Sequence, residues 1–222
     1  MIQSVVGEES GGCGTLTNIV KGYTADAAII LEPTSLKVCP IQSGALTFRL
    51  TVPGRATHAA MRWDGVSAIE KFNLIHQSIL EFEKKRHQSF DIKYYESQDR
   101  VAPINIGTIK GGEWHSTVPE SVVAEGRFGV FPGESAQDAR DTFETHIQTI
   151  SKRDDWLKEN RPIVEWFEGQ FESGQTDLKD PIIQALSDSY LHSTGDVPIL
   201  EGVTYGSDLR LFTNHAHIPA VL

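Results

Sequence analysis

Hydrophobic and polar positions alternate most regularly in the middle of the chain, between residues 44 and 167. Residues 45–52 alternate with a period of two, which predicts a strand with one buried face. Residues 65–87 and 135–151 place apolar side chains three or four positions apart, which predicts two amphipathic helices. Three further apolar runs predict strands: residues 103–109, 122–130 and 163–167. The order β-α-β-β-α-β predicts an inserted α+β domain of ferredoxin-like topology.

The two ends of the chain show shorter apolar runs that are separated by turns. Four of these runs predict strands: residues 1–6, 27–31, 197–200 and 219–222. Two stretches predict helices: residues 14–22 and 181–193. The fold class is therefore α/β, with residues 1–43 and 168–222 forming part of one domain around the insertion at 44–167. Because the chain begins and stops within apolar runs, we expect that it is truncated at both ends.

Acidic side chains follow two of the predicted strands. Glu8 and Glu9 come after the first apolar run and before Gly11, and Glu32 follows the run 27–31. In open α/β sheets, ligands collect at the carboxyl ends of the strands. One carboxylate there can bind a metal ion while another takes a proton from a metal-bound water. The alternatives are a solvated acidic turn for the glutamate pair and an ion-paired or exposed Glu32.

Composition excludes some classes of function. The formal net charge of −10 argues against nucleic-acid binding. No apolar run approaches the roughly 20 residues that span a bilayer, and no signal peptide is visible at the N-terminus. Two cysteines without CxxC spacing fit a reducing compartment, so we expect a cytoplasmic protein that does not bind membranes.

Two polar segments of the predicted insertion need separate interpretation. His58 follows Pro53-Gly54-Arg55 at the end of a strand, and it is either a surface histidine or a functional one. The segment 83–87 carries several cations at the end of the first long helix. We expect it to be a solvated helix terminus whose cations face the negative end of the helix dipole.

Several short motifs occur in the order found in the M20 metallopeptidases and amidohydrolases, and they cover nearly the whole chain. Each motif is weak alone, but together they carry the resemblance. The chain most resembles the acetylornithine deacetylase and succinyl-diaminopimelate desuccinylase branch, through its Leu-Glu-Pro-Thr and Tyr-Gly-Ser-Asp sequences. The matching segments are residues 6–12, 31–34, 52–60, 105–112, 118–119 and 205–210.

The resemblance implies a role for individual residues. Glu8 matches the general base, and Glu9 and Glu32 match ligands of two zinc ions. His58 matches the histidine that contacts the oxyanion, often across a dimer. The positions that line the substrate pocket are Arg127, Asn105, Gly206 and Ser207. A guanidinium suits a substrate carboxylate, although Arg127 can equally pair with a carboxylate of the sheet.

The resemblance also implies zinc-dependent hydrolysis of an N-acyl amino acid or a small peptide, and a homodimer formed through the inserted lid domain. The family's remaining histidine and aspartate ligands have no counterpart here. Two carboxylates are a poor set of ligands for zinc, which takes about four. We therefore expect weak or absent zinc binding and little activity from this chain alone. The alternative is a catalytically inactive dimerisation or interaction module.

Overall fold

The structure, a computed structural model, describes residues 1–91 and 93–222. These residues form four α-helices: α1 (Cys13–Val20), α2 (Ala68–Gln88), α3 (Ala136–Ser151) and α4 (Pro181–Thr194). They also form nine strands: β1 (Ala28–Ile29), β2 (Val38–Gln42), β3 (Gly44–Pro53), β4 (Ile104–Gly111), β5 (Ser121–Val130), β6 (Ile163–Phe171), β7 (Gly174–Gln175), β8 (Leu200–Val203) and β9 (Ala220–Val221). Two short 3₁₀ helices (Ala59–Asp64 and Gln98–Arg100) and one π-helix (Leu211–Ala216) complete the description.

Residues 44–171, which we call the inserted domain, form a four-stranded antiparallel sheet covered by α2 and α3. The strand order is β4-β5-β3-β6. Along β3, even-numbered residues such as Phe48 and Leu50 are fully buried under the helices. Odd-numbered residues such as Thr47 lie on the opposite face, as the period of two requires. The predicted β-α-β-β-α-β order is confirmed, although β6 extends beyond residue 167 and the predicted domain boundaries stay a prediction.

Both helices of the inserted domain begin at a serine cap. The hydroxyl of Ser67 accepts a hydrogen bond from the Glu70 amide, and that of Ser135 accepts one from the Asp138 amide at 3.0 Å. Such caps satisfy amides that have no partner within the helix. Below the helices, Phe48 contacts Phe143, with ring centroids 4.7 Å apart, and Trp166 closes the same cluster.

The C-terminal end of α2 is less exposed to solvent than predicted. Arg86 and His87 are buried, with 5% and 7% of their surface exposed, so the prediction of a solvated terminus is wrong for these two residues. Arg86 forms two hydrogen bonds with the carboxylate of Glu134 and lies 4.2 Å above the ring of Phe128. A paired guanidinium can be buried in this way because its charge and its donors are both satisfied.

Residues 1–43 and 172–222, which we call the flanking part, form two small sheets. Parallel strands β1 and β9 pair with each other, and β2 lies between β7 and β8. Reciprocal hydrogen bonds of 3.0 Å between Cys39 and Leu222 connect β2 to the end of β9. Helix α4 begins at Pro181 and is capped by Asp180, whose carboxylate accepts from the Ile182 amide.

Several local predictions in the flanking part are corrected by the structure. Residues 1–6 are not a strand, because the chain turns at Gly7 (φ +73°) and the Val6 carbonyl accepts a hydrogen bond from the Gly14 amide. The predicted strand at 197–200 forms instead at Leu200–Val203. Strands β2 and β7 were not predicted.

The inserted domain joins the flanking part at two neighbouring points. Ser43 precedes β3 on one side, and residues 172–173 follow β6 on the other. At Gly44 an added Cβ would lie 2.5 Å from the Phe171 carbonyl oxygen, so the two connections pass in direct contact. In the part of the chain that is described, no helix is long and apolar enough to cross a bilayer.

Candidate active site

The glutamate pair lies on a tight turn that precedes α1. The amide of Gly11 donates to the Glu8 carbonyl at 2.9 Å, and that of Gly12 donates to the Gly7 carbonyl at 2.8 Å. Gly7 and Gly12 both adopt the left-handed backbone conformation, with φ near +74°, which glycine accepts without strain. The glycines on either side of the glutamates therefore shape the turn that presents them.

The loop after β8 holds this turn in place. Thr15 donates a hydrogen bond to the carboxylate of Asp208, and Arg210 donates to the Gly11 carbonyl at 2.8 Å. There is no room for a side chain at Gly12, because an added Cβ would lie 2.1 Å from Oδ1 of Asp208. Asp208 and Arg210 are both buried, so the two segments are joined in a site with little competition from water.

Carboxylates from three segments influence one another's pKa through their charges. Burial, as the largest cause, and the charges of Asp208, Glu32 and Glu9 together raise the pKa of Glu8 to about 7, against an opposing effect of Arg210. Burial also raises the pKa of Glu32, with the charges of Glu9 and Asp208 acting in the same direction. The acidic groups that follow the two N-terminal runs thus belong to one electrostatic cluster.

The outer face of the inserted domain's sheet faces this turn across a cavity of about 530 Å³, which we call the site cavity. Glu8 and Glu9 lie on one wall, and Asn105 and Arg127 lie on the other. Arg127 is directly opposite both Asn105 on β4 and Thr47 on β3, which places the three side chains in one row across the sheet. Aromatic walls are supplied by Phe167 and Phe171.

The remaining predicted site residues lie in different places. Gly206 lines the site cavity, whereas the Ser207 side chain is fully buried and donates a hydrogen bond to Gln42. Glu32 does not line the cavity, although its charge acts on Glu8. His58 lies on an exposed loop outside the cavity, where its Nδ1 accepts from the Ala60 amide at 3.1 Å.

Sequence reasoning did not assign individual roles to three residues of this region. Asp208 and Tyr205 belong to the matching segment 205–210 without a role of their own, and the link of Asp208 to Thr15 joins residues far apart in the chain. Phe171 carried no signal beyond ordinary packing. Only the Tyr-Gly-Ser-Asp sequence pointed to this loop, and it could not show which side chain faces the cavity.

The donor set can be compared with what zinc requires. Glu9 and Glu32 supply carboxylate oxygens, while tight zinc sites take about four ligands and favour nitrogen or sulfur. Within residues 1–91 and 93–222, no group of three or more His, Cys, Asp or Glu side chains is arranged to hold a metal ion. The described residues therefore do not by themselves fit a complete zinc site.

Comparison with known proteins now assigns the family. A family model described as the M20 peptidase dimerisation domain matches residues 41–155, slightly more than half of the 222 residues. The chain belongs to the M20 peptidase family. Its members are in general metallopeptidases, typically dependent on zinc. The predicted mixed α/β fold with a dimerisation domain is confirmed, and a homodimer is the assembly that such a domain suggests.

Two curated relatives differ in their named activities. The N-formyl-4-amino-5-aminomethyl-2-methylpyrimidine deformylase of Bacillus subtilis is 27% identical in an alignment of 219 positions, which covers 90% of this chain and 51% of that protein. The acetylornithine deacetylase of Erwinia tasmaniensis is 34% identical over only 96 residues, covering 40% of this chain and 22% of that protein. The chain thus spans about half the length of the deformylase, and its match to the deacetylase covers a smaller share of that protein.

Solved structures agree on the fold. Aminopeptidase PepT from Bacillus cereus superposes with a TM-score of 0.69 at 19% identity, covering 98% of this chain and 53% of that one. At this level of identity the likeness establishes the fold and leaves the substrate open. The acetylornithine deacetylase branch is therefore not confirmed.

Proposed function

We propose that this chain supplies part of the active site of an M20-type amide hydrolase that acts on N-acyl amino acids. The observation that carries the proposal is a guanidinium, that of Arg127, which lies in the same cavity as Glu8 and has no carboxylate partner among the described residues. An N-acyl amino acid has a carboxylate and an amide bond only a few atoms apart. A cavity of about 530 Å³ is large enough for such a molecule.

Arg127 lacks a carboxylate partner among the described residues. Its Nη2 donates to the Thr204 carbonyl at 2.8 Å, and its Nε is buried without a hydrogen-bond partner. Burial lowers the pKa of Arg127, and among the residues that the structure describes no acidic group opposes that effect. Glu125, two positions before Arg127 on the same strand, pairs with Arg49 at 2.8 Å instead. A substrate carboxylate would supply the missing charge, and Asn105 in the adjacent register position would add a donor.

Glu8 is suited to proton transfer on the opposite wall. A carboxyl group with a pKa of about 7 accepts and releases a proton with little cost near neutral pH. In the proposed reaction, Glu8 takes a proton from the attacking water and delivers it to the leaving amine. The buried pair of Asp208 and Arg210 would keep the turn, and with it Glu8, in position.

We propose that Glu9 and Glu32 supply two of the ligands of the zinc site that complete M20 enzymes contain. Because the described residues do not complete a zinc site, we derive no step through a metal. We expect the 222-residue chain to bind zinc weakly, and calorimetric titration that found two tight sites would contradict this expectation.

A second candidate substrate class comes from the relatives named as deformylases. Phe167 and Phe171 flank the site cavity and suit the faces of a flat heteroaromatic ring. A neutral pyrimidine would nevertheless leave Arg127 without its anion. We therefore favour the N-acyl amino acid, with the N-formyl aminomethylpyrimidine as the competing ligand.

The decisive experiment compares two ligands that differ by one carboxylate. N-acetyl-L-ornithine and N-acetylputrescine share the amide and the amine, and only the first carries a carboxylate. We expect the chain to bind N-acetyl-L-ornithine at least tenfold more tightly in calorimetric titration. Arg127→Gln should remove this preference, because it removes the half-buried cation.

Arg49→Gln provides the matched control, because Arg49 lies on the same sheet and is already paired with Glu125. It should leave the preference unchanged. Equal binding of the two ligands by the unmodified chain would refute the assignment of Arg127. Tighter binding of the N-formyl pyrimidine than of N-acetyl-L-ornithine would favour the second substrate class.

The exposed position of His58 fits a role in the site of a second copy. In that proposal the inserted domains form a homodimer, and each His58 reaches the partner's cavity. The alternative function is a dimerisation module without catalysis. A stable dimer that binds neither metal nor acylated ligand would support that alternative.

A further inference from the structure

A second cavity lies beside the site cavity along the same boundary between the inserted domain and the flanking part. This rear cavity has a volume of about 630 Å³. Its walls come from the inserted-domain segment around Tyr95 and from the flanking residues around Lys37 and Glu201. Among residues 1–91 and 93–222, Tyr205 is the one position that lines both cavities.

The outer wall of the rear cavity is firmly attached to the flanking part. The amide of Gly202 donates to the Tyr94 carbonyl, and an added Cβ at Gly202 would lie 2.5 Å from the Tyr95 ring. The Tyr95 hydroxyl lies 2.9 Å from Oγ of Ser43 and donates to the Val203 carbonyl at 3.3 Å. The rear cavity is therefore a fixed space next to strand β8.

Tyr205 forms the partition between the two cavities. Its half-buried ring packs against the apolar cluster that contains Cys39 and Leu209. Its hydroxyl is buried and has no hydrogen-bond partner among the described residues. Burial raises the pKa of Tyr205, and the nearby Cys39 and Glu32 act in the same direction, so the phenol is uncharged at neutral pH. Packing, rather than a hydrogen bond, holds the ring.

The backbone on both sides of Tyr205 is fixed. The preceding carbonyl, that of Thr204, accepts the hydrogen bond from Arg127. The following residue, Gly206, has no room for a side chain, because an added Cβ would lie 2.6 Å from Cβ of Phe171. With the neighbouring backbone fixed and Tyr205 lining both cavities, its side chain is the group at the boundary that a substitution can change.

We propose that Tyr205 is a specificity-determining residue, whose ring closes the site cavity against the rear cavity and so limits the length of the substrate side chain. The inference rests on the proposed function, since it takes N-acyl amino acids as the ligands. With the ring in place, the site admits short side chains. Without it, the two cavities join, and a side chain can extend past residue 205.

A pair of ligands with the same amide and carboxylate tests this role. N-acetyl-L-ornithine has a short side chain, and Nα-acetyl-Nδ-benzoyl-L-ornithine carries a benzoyl group on its end. We expect the unmodified chain to bind the short ligand at least tenfold more tightly in calorimetric titration. Tyr205→Ala should reduce this preference at least tenfold, chiefly by improved binding of the benzoylated ligand.

Two control variants separate the partition from other effects. Tyr205→Phe keeps the ring and should retain the preference, and Tyr95→Phe alters only the rear cavity's outer wall and should also retain it. Circular dichroism verifies that each variant is folded. If Tyr205→Ala does not fold, Tyr205→Leu takes its place, because leucine is apolar but shorter than tyrosine.

The outcomes distinguish this inference from the proposed function. An unchanged preference in the folded Tyr205 variant, or equal weakening of both ligands, would overturn the role of Tyr205 and leave the proposed function intact. Binding of neither ligand by any of the proteins would overturn the proposed function, and the role of Tyr205 with it.

Discussion

The inserted domain and the flanking part bury their apolar side chains to very different extents. In the inserted domain, Phe48, Phe128 and Phe143 form part of one continuous core between a sheet and two helices. In the flanking part, the core is small, and the side chains of Ile2, Val6, Val20 and Leu31 are at least 77% exposed. The inserted domain is stabilised by its own contacts, while the candidate catalytic turn depends on a few contacts around Asp208.

This difference has consequences for unfolding. A domain with its own core unfolds cooperatively, whereas a segment with few buried contacts opens at lower free energy. All four tryptophans, at positions 63, 114, 156 and 166, lie in the inserted domain. Tryptophan fluorescence therefore reports on the inserted domain, and hydrogen exchange of α1 reports on the flanking part.

The largest expected effect comes from a cavity in the inserted domain. Phe48→Ala removes a fully buried ring that contacts Phe143 and Trp166. We expect the free energy of unfolding of this domain to fall by about 3–5 kcal/mol in urea titrations followed by fluorescence. The control Leu80→Ala changes a partly exposed position of α2 and should cost about 1 kcal/mol or less. Equal losses in the two variants would contradict a self-contained core.

A smaller effect is expected at the turn that carries the glutamates. Gly12→Ala places a methyl group against Oδ1 of Asp208 in a left-handed backbone conformation, which costs about 1–3 kcal/mol. We expect faster amide exchange in α1 and an unchanged fluorescence transition. Gly11→Ala is the control, because Gly11 also has a positive φ but no atom within 4 Å of an added Cβ. A shift of the fluorescence transition by Gly12→Ala would show that the two regions unfold together.

The smallest effect concerns an ion pair of the inserted domain. Burial alone would raise the pKa of Asp154, but the hydrogen bond from Lys71 at 2.7 Å and the amides of Leu157 and Trp156 together hold it below its usual value. A lowered pKa contributes stability at neutral pH that is lost as the pH falls through the folded-state value. Asp154→Asn should cost about 1–2 kcal/mol at neutral pH.

The pH dependence makes this last prediction specific. The difference in unfolding free energy between Asp154→Asn and the unmodified chain should shrink as the pH falls below the usual range of an aspartate. Asp155 provides the control, because it is exposed and forms a surface ion pair with Lys158. Asp155→Asn should therefore have little effect on stability at any pH. A difference that stays constant down to acid pH would show that the carboxylate charge is not what stabilises Asp154.

The two regions also differ in how far sequence predicted them. The inserted domain's strands and helices were predicted because its apolar residues recur with a regular period; the caps at Ser67 and Ser135 are findings of the structure. The buried Arg86 was missed, because its partner Glu134 lies 48 positions away and no local pattern reports such a pair.

In the flanking part, local pattern was a poorer guide. Residues 1–6 are apolar like a strand, yet the turn at Gly7 and the contact with Gly14 decide their conformation. The family resemblance did select residues that the structure brings into one cavity, such as Glu8, Arg127 and Asn105. It could not show that Asp208 bonds to Thr15, 193 positions away, or that Tyr205 packs against the cluster around Cys39.

The two chain connections between the inserted domain and the flanking part, at Gly44 and at residues 171–173, lie next to each other. This proximity determines how the order of the two parts in the chain can be changed by engineering. Because the inserted domain starts and finishes at one point, its removal leaves ends close enough to rejoin with a very short linker. The same geometry permits transplantation of a homologous domain, or a circular permutation that opens the chain within a surface loop. This junction therefore allows the inserted domain, which contains most of the segment that matches the M20 dimerisation domain, to be exchanged as one unit.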